Sequence, residues 1–175
     1  QLIVKCLQSY IIQVPSDISY MFELLTIFNV KSLVDYNFLK QFYVDIINKL
    51  YTIEIKSNLM KYFLEKIFHN NNYNEKLKVQ SIRLIIIPLL LSIFRKKEEK
   101  YILTKNLSQH IVEYVLCATQ PIGVNQYGDA MKIELLKIAT LLIKHMPVTY
   151  LNHRKELIKF AWNHLKCEDV TIKHW

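Results

Sequence analysis

Hydrophobic residues recur every three or four positions through most of this chain, which is the spacing of one face of an α-helix. The pattern is clearest in two runs near the C-terminus, separated by a short break around Pro147. The first run carries its apolar stripe at Ile133, Leu136, Ala139, Leu142, Ile143 and Met146. The second carries its stripe at Leu157, Ile158, Ala161, Trp162 and Leu165. Both are predicted to be amphipathic helices, and Phe160 and Leu141, outside the stripes, widen the predicted buried face.

Residues that favour helix starts divide the rest of the chain into further helical segments. Gly128-Asp129 is predicted to start the first C-terminal helix, and Asn152 is the expected N-cap of the second. The other expected starts are Asp17, Asp35, Ser57 and Thr104. The additional helices predicted in this way are 17–28, 36–50, 58–69, 75–94 and 105–117.

Neighbouring predicted helices pair into units of roughly 40 to 50 residues, the length of HEAT and armadillo repeats. The units are 17–50, 58–94, 105–146 and an incomplete 152–175. The predicted fold is therefore all-α, a HEAT-like α-solenoid of antiparallel helix pairs, and a compact helical bundle is the competing architecture. Because Trp175 falls inside a predicted helix, we expect the chain to be a piece of a longer array, in which each repeat contacts only its neighbours.

The composition argues against several other classes of protein. With 51% hydrophobic residues, the chain is too apolar to be disordered. Its two glycines, Gly123 and Gly128, are too few for hairpin-rich sheets and form no glycine-rich phosphate loop. The longest apolar run, from Leu84 to Leu91, is far shorter than the ~20 residues that span a bilayer. We interpret it as a buried helix that is bent or loosened at Pro88.

The basic charge is compatible with acidic partners but does not require nucleic acid. The formal net charge is +8, from 23 basic and 15 acidic residues. The arginines among them are only Arg83, Arg95 and Arg154. Lysine suits a solvated helix face, whereas arginine dominates the recognition of phosphates and bases. The composition therefore disfavours direct nucleic-acid binding.

The candidate partner-binding residues lie on the second C-terminal helix. They are Arg154, Lys155, Lys159 and Lys166. Lys132, Lys137 and Lys144 give the preceding helix a similar cationic face. Such faces attract acidic protein segments or a nucleic-acid backbone. From the residues alone, however, the favoured interpretation is that these lysines serve ordinary solubility, as part of a general abundance of Lys, Asn, Ile and Tyr.

Residue types that support catalysis or metal binding form no complete set in the sequence. The three cysteines lack C-x-x-C spacing, which indicates a reducing compartment rather than disulfides or a zinc cluster. They are Cys6, Cys117 and Cys167. His153 and Glu156 share a helix face without further metal ligands, and His110 and Cys117 share another without an orienting group. We predict no catalytic residue, no metal site and no cofactor.

Three runs of the sequence are distinctive beyond their helical spacing. They read KLKVQSIRLIIIPLLLSIF (76–94), GDAMKIELLKIATLLIKHMP (128–147) and HRKELIKFAWNHLKCED (153–169). In these runs, about a third of its length, the chain resembles the TRRAP family, that of transformation/transcription domain-associated protein and its fungal counterparts. The Asn70 to Asn74 insert and the lysine-rich connector from Arg95 to Lys105 do not match that pattern.

The resemblance implies a very large scaffold protein of the phosphatidylinositol-kinase-related group. Such proteins consist mostly of helical repeats, followed by a FAT region and a kinase-like domain that has lost its catalytic residues. They belong to nuclear histone acetyltransferase complexes of the SAGA and NuA4 types. The implied partners are the protein subunits of those complexes and transcriptional activators, with no small-molecule substrate and no membrane.

Other functions fit a helical array as well. A HEAT-repeat nuclear transport receptor or adaptor would have the same fold, although acidic clusters on its inner face would be expected. A catalytically active kinase-related enzyme would differ only outside this segment, and a nucleic-acid-binding repeat would show a steep dependence of binding on salt. A small stand-alone enzyme is the least favoured alternative, because no nucleophile with its base is present.

Overall fold

The computed structural model describes residues 6, 9–10, 12–14, 17–21, 23–24, 36–49, 52–69, 73–97, 114, 127–146 and 151–165. Its bounded helices are α1 (Tyr36–Lys49), α2 (Ile53–His69), α3 (Glu75–Phe94), α4 (Asp129–His145) and α5 (Arg154–Leu165). These residues contain no β-strand, so the all-α prediction is confirmed for the part of the chain described. The predicted helix 105–117, apart from Tyr114, lies outside these residues, and the division into four units stays a prediction.

Helix α3 is the centre of the fold because it packs against α1, α2 and α4. Its side chains Ile82, Ile85, Leu89 and Ile93 are completely buried. By length and mean hydropathy, 1.9 in its most apolar window, α3 is the one described helix that could cross a membrane. However, 61% of that window is buried against the protein, as expected for a core helix.

The middle of α3 is a π-helical turn over Ile82–Ile86, immediately before Pro88. There the Ile87 N–H bonds to the carbonyl of Ile82, five residues earlier instead of four. Proline has no N–H to donate, and its ring crowds the carbonyl of the preceding turn. A wider turn relieves that crowding, and single π-turns of this kind occur inside long helices. The predicted loosening at Pro88 is therefore confirmed.

Helix α2 begins five residues earlier than the sequence pattern predicts. The expected first residue is Asn58, after Ser57, but the helix starts at Ile53, where the Thr52 hydroxyl accepts a hydrogen bond from the Ile55 N–H at 3.4 Å. Ser57 is buried within the helix, and its hydroxyl donates to the Ile53 carbonyl at 2.8 Å. This bond to the preceding turn satisfies the serine inside the helix, so it does not act as a cap.

Helices α3 and α4 run side by side in the same direction. At their N-termini, the Glu75 carboxylate accepts a hydrogen bond from the Gly128 N–H at 3.0 Å. At their C-termini, the Phe94 ring stacks on His145 with 4.7 Å between ring centroids. Gly128 is the N-cap of α4, as predicted. Parallel neighbours separated by an intervening segment are the arrangement expected of equivalent helices in successive repeats.

Candidate partner-binding surfaces

The candidate cationic residues of α5 lie on its solvent-exposed side. Arg154, Lys155 and Lys159 are all exposed, and none forms an ion pair with another residue in the described ranges. Lys166, the fourth predicted residue, lies outside the described residues. The α-helix itself begins at Arg154, after a 3₁₀ turn over Leu151–His153 that contains the expected N-cap Asn152.

The apolar face of α5 is not the one that the sequence stripe predicts. Ile158 is 48% and Trp162 is 59% exposed, whereas Phe160, which falls outside the stripe, is only 3% exposed. Leu157 and Phe160 are buried among the described side chains of α5, and α4 is its helical neighbour. Because successive residues turn by about 100°, Ile158 and Trp162 lie between Arg154 and Lys159 on the outer face. The prediction that Trp162 is a core residue is wrong for this structure.

The cationic face predicted for α4 is partly neutralised. Lys132 pairs with Asp129, and Lys137 pairs with Glu134, each at 3.1 Å. Both lysine side chains are largely covered, and only Lys144 is fully exposed as predicted. Ion pairs one turn apart on a helix reduce the field that a distant acidic partner would experience. The α5 face is therefore the stronger of the two predicted cationic surfaces.

A groove of about 530 Å³ lies on the outer side of α3, between α1 and α4. Each helix contributes residues spaced by three or four positions, so that one stripe from each lines the groove. We call it the arginine groove, because Arg83 and Arg95, two of the three arginines of the chain, line it. Lys40 of α1 and Lys137 of α4 add two further positive charges.

Glu134 is a completely buried carboxylate at the wall of the arginine groove. Its Oε1 accepts hydrogen bonds from Arg83 Nε of α3 and from Lys137 Nζ of its own helix. Its Oε2 is buried and has no hydrogen-bond partner among the described residues. A buried charge is stable only when it is paired, so Glu134 couples α4 to α3 through Arg83.

Neither Glu134 nor the groove is predicted from the sequence. One signal was available: Glu134 stands between Ile133 and Leu135 in an apolar stretch, three residues before Lys137. The Arg83 partner is 51 residues away, and neighbouring helices bring the two together only in the folded chain.

The other candidate chemical groups do not form a reactive site in the described part of the chain. No group of three or more His, Cys, Asp or Glu side chains is placed to hold a metal ion there. His153 lies in the 3₁₀ turn and Glu156 in the first turn of α5. Cys6 is exposed, while His110, Cys117 and Cys167 lie outside the described residues.

Comparison with known families identifies the group to which these helices belong. The family model described as the Tra1 HEAT repeat ring region matches residues 1–175, the whole chain. The chain belongs to this family. Together with the all-helical structure, the match confirms the HEAT-like α-solenoid and the resemblance to the TRRAP family.

Individual relatives agree with this assignment. The chain is 32% identical to transcription-associated protein 1 of Dictyostelium discoideum and 28% identical to transformation/transcription domain-associated protein of Homo sapiens, each over 99% of its length. A shorter match, 38% identical over 29% of the chain, is to the SAGA complex/NuA4 acetyltransferase complex subunit TRA1 of Saccharomyces cerevisiae. The chain spans 4% and 5% of the lengths of the first two. No solved structure matches the chain.

Proposed function

We propose that this chain is a non-catalytic scaffold segment of a large transcription coactivator subunit, acting in the nucleus within histone acetyltransferase complexes of the SAGA or NuA4 type. The observation that carries the proposal is the match of the entire chain to the Tra1 HEAT repeat ring. The name of the yeast relative supplies the class of complex. A segment whose largest element is a buried apolar helix is suited to hold a shape rather than to carry out a reaction.

The scaffold role follows from how the helices are fixed to one another. Helix α3 is covered by three others, and its two ends are tied to the two ends of α4. A well-packed interior resists deformation, so surface residues on these helices keep fixed relative positions. Such a segment would hold bound subunits at set distances within a complex.

Within this scaffold, the outer face of α5 is the proposed docking surface for acidic transcriptional activators. Arg154, Lys155, Lys159 and the predicted Lys166 would supply positive charge. The exposed Trp162, which the sequence stripe placed in the core, lies among the described cations and would supply an apolar anchor. Aromatic side chains ringed by charges are typical of residues that dominate binding energy at interfaces. This combination favours acidic segments that also contain large hydrophobic residues.

The coactivator assignment is tested by tagging the intact parent protein at its own locus and identifying copurifying proteins by mass spectrometry. We expect acetyltransferase, deubiquitinase-module or chromatin-remodelling subunits. Recovery of a transport GTPase with its cargo, or of no chromatin factor, would overturn the assignment. In that case a nuclear transport receptor or adaptor would be the better explanation for the same fold.

The docking surface is tested separately, in the purified complex, with a labelled acidic activation-domain peptide. The variant Lys155→Glu/Lys159→Glu/Lys166→Glu is expected to weaken binding at least about tenfold, because each reversal replaces attraction by repulsion. A matched control, Lys61→Glu/Lys76→Glu/Lys97→Glu, changes the net charge equally at exposed positions on other helices. Equal binding by the triple variant and the unmodified protein would exclude this surface.

A further inference from the structure

We infer that the arginine groove is a second docking site, which receives an amphipathic acidic helix from a protein partner and pairs one of its carboxylates with Arg83. This goes beyond the proposed function, which places docking on α5. Three features of the groove support this site: the hydrogen bond that fixes Arg83 to Glu134, the distribution of charge along the walls, and the apolar floor.

Arg83 is positioned to bind a carboxylate from a partner. Its Nε donates to Glu134 Oε1, while its terminal nitrogens have no hydrogen-bond partner among the described residues. The Arg83 side chain is 38% exposed, and Glu134 is buried and anchored also by Lys137. A guanidinium fixed through Nε still presents the two parallel N–H groups that bind a carboxylate in bidentate fashion. Little side-chain entropy remains to be lost on binding.

The charge lining the groove favours an anionic occupant. Among the described residues, four cationic side chains and one carboxylate, that of Glu134, line it. Two of the cations, Lys40 and Arg95, are exposed and stand on different helices, so they can attract a partner from solution. Since Glu134 already neutralises part of this charge, the lining is left with an excess of positive charge for an acidic ligand.

The floor of the groove is apolar, which favours a peptide over a nucleic acid or a free anion. Val44, Ile87, Pro88, Leu91 and Leu141 all line it. Leu91 is 40% exposed although it belongs to the core helix. A phosphate backbone would leave these side chains in contact with water, whereas large hydrophobic residues of a peptide would cover them. The occupant should therefore carry acidic and apolar residues on the same surface.

The dimensions fit a short helix. From Arg83 to Arg95 the lining residues of α3 extend over about 18 Å at 1.5 Å per residue, roughly three helical turns of a partner. Ridges of side chains on two neighbouring helices form a channel in which a third helix packs. A helix bound in a groove contacts it through side chains spaced by three, four and seven residues. A carboxylate and two hydrophobic residues within two turns of the partner helix would therefore pair with Arg83 and cover the apolar floor.

The test uses the full-length parent protein in its purified complex, with a synthetic, fluorescently labelled 18-residue helical peptide as the probe. The peptide carries Glu and Leu at alternating three- and four-residue spacing, and a matched peptide carries Gln in place of Glu. We expect the Glu peptide to bind at least about tenfold more tightly than the Gln peptide. A photoreactive Leu analogue in the peptide should crosslink to α1, α3 or α4.

Two charge-matched variants separate the groove from general electrostatic attraction. Lys40→Glu/Arg95→Glu should weaken binding of the Glu peptide at least about tenfold. Lys61→Glu/Lys76→Glu changes the net charge by the same amount at exposed positions outside the groove and outside α5, and should alter the affinity by less than about twofold. Leu91→Ala should weaken both peptides alike, because it removes apolar contact only.

Equal losses in the two charge variants, or crosslinks confined to α5, would overturn the groove assignment. Absence of peptide binding to a complex that still contains its acetyltransferase subunits would also overturn it. That last result would leave the proposed scaffold function intact, so the two proposals fail separately.

Discussion

Helices α4 and α5 are consecutive in the described structure, yet they use charged residues in opposite ways. On α4, Glu134 is buried and paired with Arg83 and Lys137, so its charge fixes one helix to another. On α5, Arg154, Lys155 and Lys159 face solvent and pair with no described residue. The same residue types therefore hold the array together in one place and remain available to a partner in the other. Burial, rather than residue type, decides which role a charge has.

The hydrophobic residues of the two helices differ in the same way. In α4 seven hydrophobic residues are buried over several turns, which matches contact with α3 along its length. Among residues 154–162 of α5, whose side chains the structure describes, Leu157 and Phe160 are buried, and Ile158 and Trp162 face outward. The proposal that α5 docks a partner would account for this exposed aromatic residue beside cations. Four sets of substitutions test this contrast and the contacts around it, in order of decreasing effect.

The largest effect is expected within α5 itself. Phe160→Ala should lower the local free energy of unfolding by about 3 kcal/mol, because it removes a buried ring and leaves a cavity. Trp162→Ala should change it by less than about 0.5 kcal/mol, as for most exposed positions. Hydrogen exchange of α4 and α5 amides, measured by mass spectrometry on the intact protein, reports both values. A larger loss for Trp162→Ala would mean that the sequence stripe, not the structure, has the correct buried face.

The second test compares the stability effects of substituting a buried and an exposed glutamate. Glu134→Ala should destabilise the contact between α3 and α4 by about 2 kcal/mol, because it leaves Arg83 and Lys137 without their shared carboxylate. The figure is below that of a fully buried pair, since Arg83 is 38% exposed and can be hydrated. Glu156→Ala, on the exposed face of α5, is the matched control and should have little effect. The same hydrogen-exchange experiment measures the loss of stability in each variant. Similar losses in Glu134→Ala and Glu156→Ala would refute the role of Glu134 in fixing α4 to α3.

These two pairs show how far the sequence predicts the structure. Periodicity and capping residues predict α1, α3 and α4 closely, because long amphipathic helices with clear ends need little tertiary information. The face of α5 could not be predicted, since Leu157 and Ile158 are adjacent and either can lead an apolar stripe. The arginine groove could not be predicted either, because it requires three helices that are distant in sequence to be placed side by side.

A third, smaller effect tests the link between the N-termini of α3 and α4. A Cβ at Gly128 would lie 2.6 Å from Glu75 Oε1, so Gly128→Ala displaces this carboxylate and breaks its hydrogen bond to the Gly128 N–H. We expect a loss of about 1 kcal/mol, as for an unfavourable N-cap. In a Glu75→Ala background the same substitution should cost less. Additive losses would show that the two residues do not act together.

The smallest effect concerns an exposed network near the N-terminus. The Tyr10 hydroxyl donates to Asp17 at 2.6 Å and, with further bonds from Ser19, lowers the pKa of the Asp17 carboxyl. Because the folded-state pKa is lowered, this stabilisation is present above the ordinary pKa of about 3.9 and is lost as the pH falls through the folded value. The same bond raises the pKa of Tyr10, so its contribution is lost when the tyrosine ionises above about pH 10.

Tyr10→Phe should move the pKa of Asp17 back toward its ordinary value. Proteolysis of this segment should then increase at a higher pH during acidification than in the unmodified protein. Tyr73→Phe, at a partly buried tyrosine outside this network, is the control. An unchanged pH profile in Tyr10→Phe would show that Ser19 alone holds the carboxylate.

The contrast between the buried core helix α3 and the exposed helix α5 is tested most directly by hydrogen exchange along the intact parent protein in its complex. We predict that amides of α3 exchange slowest, those of α4 nearly as slowly, and those of α5 clearly faster until an acidic activation-domain peptide is added. Exchange in α3 as fast as in α5 would contradict its position at the centre of the fold. Protection of α5 equal to that of α3 without the peptide would mean that its cationic face is already covered and does not receive activators.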